Sequence, residues 1–383
     1  MAQYIQDLLY TITNCISCFP GSPQLKINSR SFKILRLLGE GGFSYVYLVQ
    51  DTSSEALYAL KKIRCPFGQE SVAQAMKEVE AYALFTPHPN IIHSVDYCVS
   101  SDRSDPGAKT VYILLPYYRR GNLQDIINAN LVNHTKFPER QLMVLFLGVC
   151  KGLKAMHQYK VQGGPGGVNS LKNAKRARGQ AAVADAEAAQ ERRQNVPESE
   201  LDDEQQEPLM DANIMIDDNG VEPILMDLGS LAPTPTPITS RSQALAVQDE
   251  AAEHSTMPYR APELFDVKTG STIDAMVDIW SLGCTLYACL VGKSPFEMRS
   301  DETGGSLSIC VLGGDWRFPD EVPGGKKKPA AQGGQTTDSG ISESVREIVR
   351  KCLKVEPSER PDVDELIEMV TKVIDELPDD GSQ

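Results

Sequence analysis

The sequence predicts an α+β protein of two lobes, a small, mainly β lobe with one helix followed by a larger, mainly α lobe. Three observations predict it. Between Phe32 and Tyr118, short apolar and β-branched runs recur at strand spacing, broken by a single helical stretch. Beyond Gly121, apolar residues fall at i, i+3 and i+4 intervals over long segments. The chain has 383 residues, 41% hydrophobic and 23% charged, enough to bury a core of that size.

In order, the expected strands are FKILRLLG, SYVYLVQD, ALYALKKI, IIHSVDYC and VYILLPYY, and the helix among them is SVAQAMKEVEAYALF. This sets the small lobe at residues 32–118. The large lobe, 121–377, takes its helices from PERQLMVLFLGVCKGLKAMH, VDIWSLGCTLYACLVG, SVREIVRKCLKV and VDELIEMVTKVIDEL. Residues 162–208 are rich in Gly, Ala, Gln, Glu and Arg with almost no large apolar side chain, the composition of a disordered insert. Residues 320–340 read as a second insert, and 378–383 as a tail.

Ahead of the lobes, residues 1–31 carry YIQDLLYTITNCISCF, which places Ile5, Leu8, Leu9, Ile12, Ile16 and Phe19 on one helical face. Two readings stay open for it. One is a membrane-surface helix with acyl groups on Cys15 and Cys18, because stable anchoring takes two modest signals. The other is a helix packed on the domain with buried thiols. Ala2 excludes N-myristoylation.

The net charge of −14 argues against nucleic acid as a partner, since a phosphate-binding surface needs clustered Lys and Arg. Nine scattered cysteines, with Cys15 and Cys18 the single C-x-x-C pair, favour a reducing compartment over a zinc site. No apolar run approaches the roughly 18–20 residues of a membrane span, and no cleavable signal pattern opens the chain.

The residues that carry chemistry begin at LGEGGFSYVYLV. Gly39 and Gly41 lie between two strand-like runs, where backbone N–H groups can approach phosphates that a side chain would block. Such turns are common, and this one gains its weight from the neighbouring strand and helix. ALYALKK supplies Lys61 on the next strand, and KEVEAYALF supplies Glu78 on a helix. A buried ammonium requires a carboxylate of this kind, because unpaired burial costs several kcal/mol.

With these residues the chain resembles the eukaryotic protein kinases, and later motifs agree in order. The phosphate loop reads G-E-G-G-F-S-Y-V, with Ser44 where many members have a third glycine. Ala59-Leu60-Lys61 matches V-A-I-K, and LPYYRRGNL from Leu115 resembles the hinge that binds adenine through backbone groups, with Leu115 as gatekeeper. Asp227-Leu228-Gly229 stands for D-F-G and Ala261-Pro262-Glu263 for A-P-E. Asp278 in VDIWSLGC resembles the aspartate of the family's long buried helix, and Arg360 in SERP the arginine that pairs with Glu263. Finer features are similar to the Numb-associated kinases, most closely the serine/threonine kinase 16 branch with its fungal vacuolar-membrane type. There the activation segment carries a helix, matched here by SRSQALAVQDEAAEH.

The resemblance implies a two-lobed protein-kinase-like fold and transfer of the γ-phosphoryl group of ATP, with Mg²⁺, to Ser or Thr hydroxyls of protein substrates. It assigns Gly39, Glu40, Gly41, Gly42, Phe43, Ser44, Val46, Ala59, Lys61, Leu115 and Tyr117 to the nucleotide, with Glu78 pairing Lys61. Asn213 and Asp227 become the metal ligands, and Thr256 a candidate phosphosite, with a plain structural threonine as the other reading. Branch members are often lipid-anchored. That implies palmitoylation at Cys15 and Cys18, a membrane surface as partner, and a peripheral place on the cytoplasmic side of an endomembrane, vacuole or Golgi. Without the anchor the expectation is cytoplasmic.

One departure is large. The family takes its general base from H-R-D-x-x-x-x-N, so the Asp belongs five positions before Asn213, where Pro208 stands. None of His88, His93, His134, His157 and His254 is followed by Arg, and Met210 occupies the position of the following lysine. The helix ahead ends normally in GLKAMH at His157, and the family pattern resumes at Ala212 or Asn213. Three accounts stay open: a short stretch such as A-H-R-D-I-K-P omitted from the sequence as written, a genuine loss that leaves a nucleotide-binding scaffold or regulator, or replacement of the base by Asp211 or Glu207.

Overall fold

The structure is a computed structural model and describes residues 24–41, 44–101, 108–160, 213–322, 326–327 and 340–379. By contacts the chain forms two units, residues 1–157 with 208–383, and 158–207. The first unit carries both lobes. The 1–23 helix pattern and the 162–208 insert lie outside the described residues.

The small lobe is a six-stranded antiparallel sheet: β1 (Gln24–Ile27), β2 (Arg30–Glu40), β3 (Ser44–Asp51), β4 (Leu57–Cys65), β5 (Asp96–Ser101) and β6 (Lys109–Pro116), ordered β1-β2-β3-β4-β6-β5. Period-2 alternation gives it two apolar faces. Tyr47, Val49, Leu60, Tyr112 and Leu114 pack with Leu25, Ile27 and Phe32 on one side. Ala59, Val111, Ile113 and Leu115 face the other way, against Val72, Ala75, Val79 and Tyr82 of α1 (Gln69–Leu84). Lys61 shares the parity of Ala59 and so points toward α1.

The sheet starts earlier than the sequence indicates. The sequence pattern sets residues 1–31 ahead of the lobe, yet Leu25 and Ile27 are buried in it and β1 pairs with β2 from Gln24↔Lys33 to Ile27↔Arg30. The Asn28 side chain at the β1–β2 turn donates to Asp96 Oδ1 (2.8 Å) and to the Tyr97 carbonyl (3.1 Å), which ties the first strand to β5 at the far edge. A four-residue strand with two apolar side chains carries too little periodicity to be recognised alone.

The large lobe holds α2 (Leu123–Asn133), α3 (Glu139–His157), the β7 (Ile214–Ile216) and β8 (Pro223–Leu225) hairpin, and α4 (Arg241–His254). There follow α5 (Met276–Val291), α6 (Pro295–Thr303), α7 (Leu307–Gly313), α8 (Glu343–Cys352) and α9 (Val363–Glu376). Short strands β9 (Thr236–Pro237) and β10 (Thr272–Ile273) pair with each other, as do β11 (Glu321–Val322) and β12 (Lys326–Lys327). α2 opens on a capping box, Asn122 with Asp125, which satisfies two otherwise orphaned N–H groups. α5 is buried along most of its length, and its Trp280 stacks on Phe296 with ring centroids 5.2 Å apart. α4 is the helix expected in SRSQALAVQDEAAEH. Ser240 caps it, and Ala244 seats it in a small core with Ile238 and Val267.

Asp320 and Glu321, which the sequence places at the start of a polar insert, are buried parts of this lobe. Arg346 on α8 donates to Asp320 Oδ1 (2.9 Å) and Oδ2 (2.6 Å) and to Glu321 Oε1 (3.0 Å), with its guanidinium over the Phe318 ring. Charged residues of this kind stay inside only when paired.

The lobes meet where the loop after α1 adds to β8. Ile92 N–H donates to the Leu225 carbonyl and Leu225 N–H to the Asn90 carbonyl, both at 2.9 Å. The buried Asn90 amide donates to Glu222 Oε2 (2.9 Å) and to the Pro223 carbonyl (3.1 Å). α3 presses on this junction through Gly148 and Gly152. A Cβ at Gly148 would lie 2.6 Å from Pro223 Cγ, and one at Gly152 2.7 Å from Leu225 Cδ1. Gly148→Ala is therefore expected to destabilise by about 1–3 kcal/mol through overpacking, although Ala is the better helix former by about 1 kcal/mol. Urea unfolding of the pair checks this, and a more stable variant would contradict the close approach.

Candidate active site

Strand β4 sets the first side chain. Val46↔Lys61 and Leu48↔Ala59 are in register between β3 and β4, and Ala59↔Leu115 and Lys61↔Ile113 between β4 and β6. Ala59 and Leu115 are buried beside each other, and the chain leaves the sheet at Pro116 toward half-buried Tyr117 and Tyr118. The segment after β6 is tied to the β7–β8 hairpin. Arg119 N–H donates to Asp218 Oδ1 and Arg120 Nε–H to the Asp218 carbonyl, both at 2.9 Å, while Ile216 N–H donates to the Gly121 carbonyl at 3.1 Å.

At the other end of β3, Gly39 pairs with Val46 and Glu40 with Tyr45. Gly41 N–H donates to the Ser44 carbonyl at 2.8 Å and closes a tight turn. Gly42 and Phe43, both assigned to the nucleotide from sequence, lie outside the described residues.

Lys61 Nζ donates to Glu78 Oε1 at 2.7 Å and to Asp227 Oδ1 at 3.4 Å. One ammonium thus joins β4, α1 and the segment after β8. Burial works against its charge, but the two carboxylates outweigh it and hold Lys61 above the ordinary lysine value. Glu78 is 6% exposed. Its Oε1 also accepts from the Tyr82 hydroxyl, one turn further along α1. Sequence reasoning did not identify Tyr82, although the i, i+4 spacing from Glu78 was there to find it.

Asp227 lies in the left-handed region at φ 52°, ψ 69°, a conformation a non-glycine residue holds only where its surroundings impose it. The turn presents the carboxylate outward: its side chain is 43% exposed while the next residue, Leu228, is buried in the main core. Asn213 stands at the entry to β7, and its carbonyl accepts from Met226 N–H at 2.8 Å, one residue from Asp227. The backbone thus brings Asn213 and Asp227 to neighbouring positions of one hairpin.

The remaining expectations fall elsewhere. Thr256 lies after α4, and its carbonyl accepts from Tyr259 and Arg260 N–H groups at 3.0 and 3.1 Å. Cys15, Cys18, Pro208 and Asp211 are outside the described residues. Asp278 is 42% exposed, and its Oδ2 accepts from His157 Nε2 at 2.9 Å. Sequence reasoning placed both residues but not their contact. Arg360 meets Glu263 as expected, at 2.7 and 2.9 Å.

A partly buried ammonium between two carboxylates, one of them open to the cleft, beside a tight glycine turn, has the donor set for a nucleotide's phosphates and a divalent cation. Lysine supplies point charge to phosphate oxygens, and a hard cation takes carboxylate and amide oxygens. Fold and site together define a two-lobed phosphotransfer scaffold.

The protein kinase domain family matches residues 32–162 and 209–370, and the chain belongs to it. Similar proteins include serine/threonine-protein kinase ppk13 of Schizosaccharomyces pombe, 34% identical over 95% of this chain and 97% of that protein. Serine/threonine-protein kinase ENV7 of Saccharomyces cerevisiae is 31% identical over 90% and 93%. Serine/threonine-protein kinase 16 of Homo sapiens is 31% identical over 88% of each chain. Membership of the family implies ATP, a divalent cation and protein substrates.

Proposed function

We propose that this chain binds Mg²⁺-bound ATP and transfers its γ-phosphoryl group to Ser or Thr hydroxyls of proteins. The observation that carries the proposal is the Lys61 bridge between Glu78 and Asp227. Lys61 holds the α and β phosphates, and Glu78 keeps its ammonium in place. The Gly39–Ser44 turn covers the phosphates. Ala59, Val46 and Leu115 enclose the adenine, with backbone groups near Tyr117 meeting its edge. Asn213 and Asp227 hold the cation, which when bound neutralises the charge on the transferred group. The names of the relatives support serine and threonine as acceptors.

A second reading is favoured by one observation. Pro208, at the position of the family's general base, has no side-chain acceptor for the attacking hydroxyl's proton. On that reading the chain binds the nucleotide and acts as a scaffold or regulator. Attachment to the cytoplasmic face of an endomembrane through acylated Cys15 and Cys18, and phosphorylation at Thr256, extend the proposal on the strength of sequence pattern and resemblance. Among the described residues no helix is long and apolar enough to cross a membrane.

Phosphate transfer from labelled ATP to a mixed Ser/Thr peptide library tests the two readings. Transfer that is lost in both Lys61→Met and Asp227→Ala supports the kinase. Mg²⁺-dependent ATP binding without transfer supports the scaffold, and absence of both overturns the nucleotide reading.

A further inference from the structure

The Tyr82 hydroxyl has one hydrogen bond among the described residues, to the same Glu78 oxygen that receives Lys61. The ring is 1% exposed and packs in the core that contains Leu228 and Val79. Burial, reinforced by the negative charges of Glu78 and Asp227, pushes the phenol far above its ordinary value, so it acts there as a donor. A buried hydroxyl recovers its lost hydration only through such a bond.

Because Tyr82 and Glu78 share a helix, their bond survives any movement of α1 as a body. What it restricts is the direction of the Glu78 side chain, which is otherwise free to sample rotamers at an entropic cost on ordering. The carboxylate has lone pairs enough for both donors. With the phenol in place, Glu78 Oε1 is already where Lys61 Nζ meets it.

We infer that Tyr82 is a positioning residue for nucleotide phosphate: its hydroxyl pre-orients Glu78, and through Glu78 the Lys61 ammonium. The inference rests on the nucleotide reading above. It predicts an effect confined to ligands that carry phosphate.

Tyr82→Phe keeps the ring and removes the hydroxyl. Calorimetric titration of the full chain with Mg²⁺·ATP and with adenosine, beside thermal unfolding, separates positioning from packing. ATP affinity is expected to fall about 5- to 20-fold, around the lower end of the range for one hydrogen bond to a charged group, because the hydroxyl acts on Lys61 only through Glu78. Adenosine affinity is expected to stay within about 2-fold, since it presents nothing to Lys61. In a Lys61→Met background the substitution should leave ATP affinity unchanged, because the effect runs through that lysine.

Equal losses for ATP and adenosine, or a loss that persists without Lys61, would assign Tyr82 to packing and overturn the inference. ATP binding that Tyr82→Phe leaves intact overturns it alone. If the unaltered chain binds adenosine but not ATP, or neither, the nucleotide-phosphate reading falls and this inference falls with it. Should Tyr82→Phe not fold, Tyr82→Met, which also fills the site without a hydroxyl, is titrated in the same way, with the same ATP-selective loss expected and equal losses for ATP and adenosine overturning the inference.

Discussion

Replacing Arg360 with Met is expected to lower the unfolding free energy by about 3–5 kcal/mol, the range for removing one partner of a buried ion pair. The Arg360 side chain is 0% exposed. Its guanidinium donates to both Glu263 oxygens (2.7 and 2.9 Å) and to the carbonyls of Lys354 (2.7 Å), Met276 (2.8 Å) and Val355 (3.0 Å), and lies 5.0 Å from the Trp280 ring centroid. Methionine fills much of the volume but leaves one carboxylate and three carbonyls without their donor. Lysine does not restore the set, because a single ammonium cannot reproduce a planar fork with five N–H groups. Urea unfolding gives the comparison directly. Lys372→Ala, at an exposed 3.9 Å pair with Glu376, is the control and should stay within about 0.5 kcal/mol. An Arg360→Met variant as stable as that control would contradict the assigned role.

Insertion of Ala-His-Arg-Asp-Ile-Lys-Pro between Asp211 and Ala212 is expected to raise phosphate transfer by about 10²–10⁴-fold, the usual contribution of a positioned general base. The insertion puts an aspartate five residues before Asn213, the spacing of the family's catalytic loop. The described residues already join Lys61 to Glu78 and Asp227 and set Asn213 beside Asp227 on one hairpin. ATP affinity should change little, since the inserted carboxylate acts on the acceptor hydroxyl and not on the phosphates held by Lys61. The same insertion with Asn in place of its Asp is the necessary comparison. Equal rates for the two insertions would show that the missing carboxylate is not what limits this chain.

The parts of the site that could be read from sequence are those whose chemistry leaves a local trace. Lys61 stands out because an ammonium in an apolar strand needs a carboxylate, and Glu78 follows on the next helix. Asp227 and Asn213 are named by short motifs, and Arg360 and Glu263 by motifs 97 residues apart that the fold brings together. The strand periodicity likewise locates β2 to β4 and β6.

What was not legible depends on partners distant in sequence or on weak local pattern. β1 is a strand because β2 and the Asn28 contacts to β5 make it one. Asp320 and Glu321 look like loop residues until Arg346, more than twenty positions later, is placed between them. Helices α6 and α7 are too short to show a helical period, and α6 carries few apolar residues, so packing and caps such as Ser294 decide them. Tyr82 is the exception: its acceptor Glu78 lies one helical turn away, but the residue reads as one more core aromatic until the hydroxyl is seen to donate to it.

The proposed function stands on Lys61, held by Glu78 and Asp227, as a site for nucleotide phosphate and a divalent cation. Titration of the unaltered chain with ATP in the presence and absence of Mg²⁺, repeated on Lys61→Met, tests that site without depending on catalysis. The expected result is Mg²⁺-dependent binding that weakens about 10- to 100-fold in the variant, the cost of one charge-assisted contact to phosphate. Binding that ignores both Mg²⁺ and the loss of Lys61, or no binding at all, would refute it.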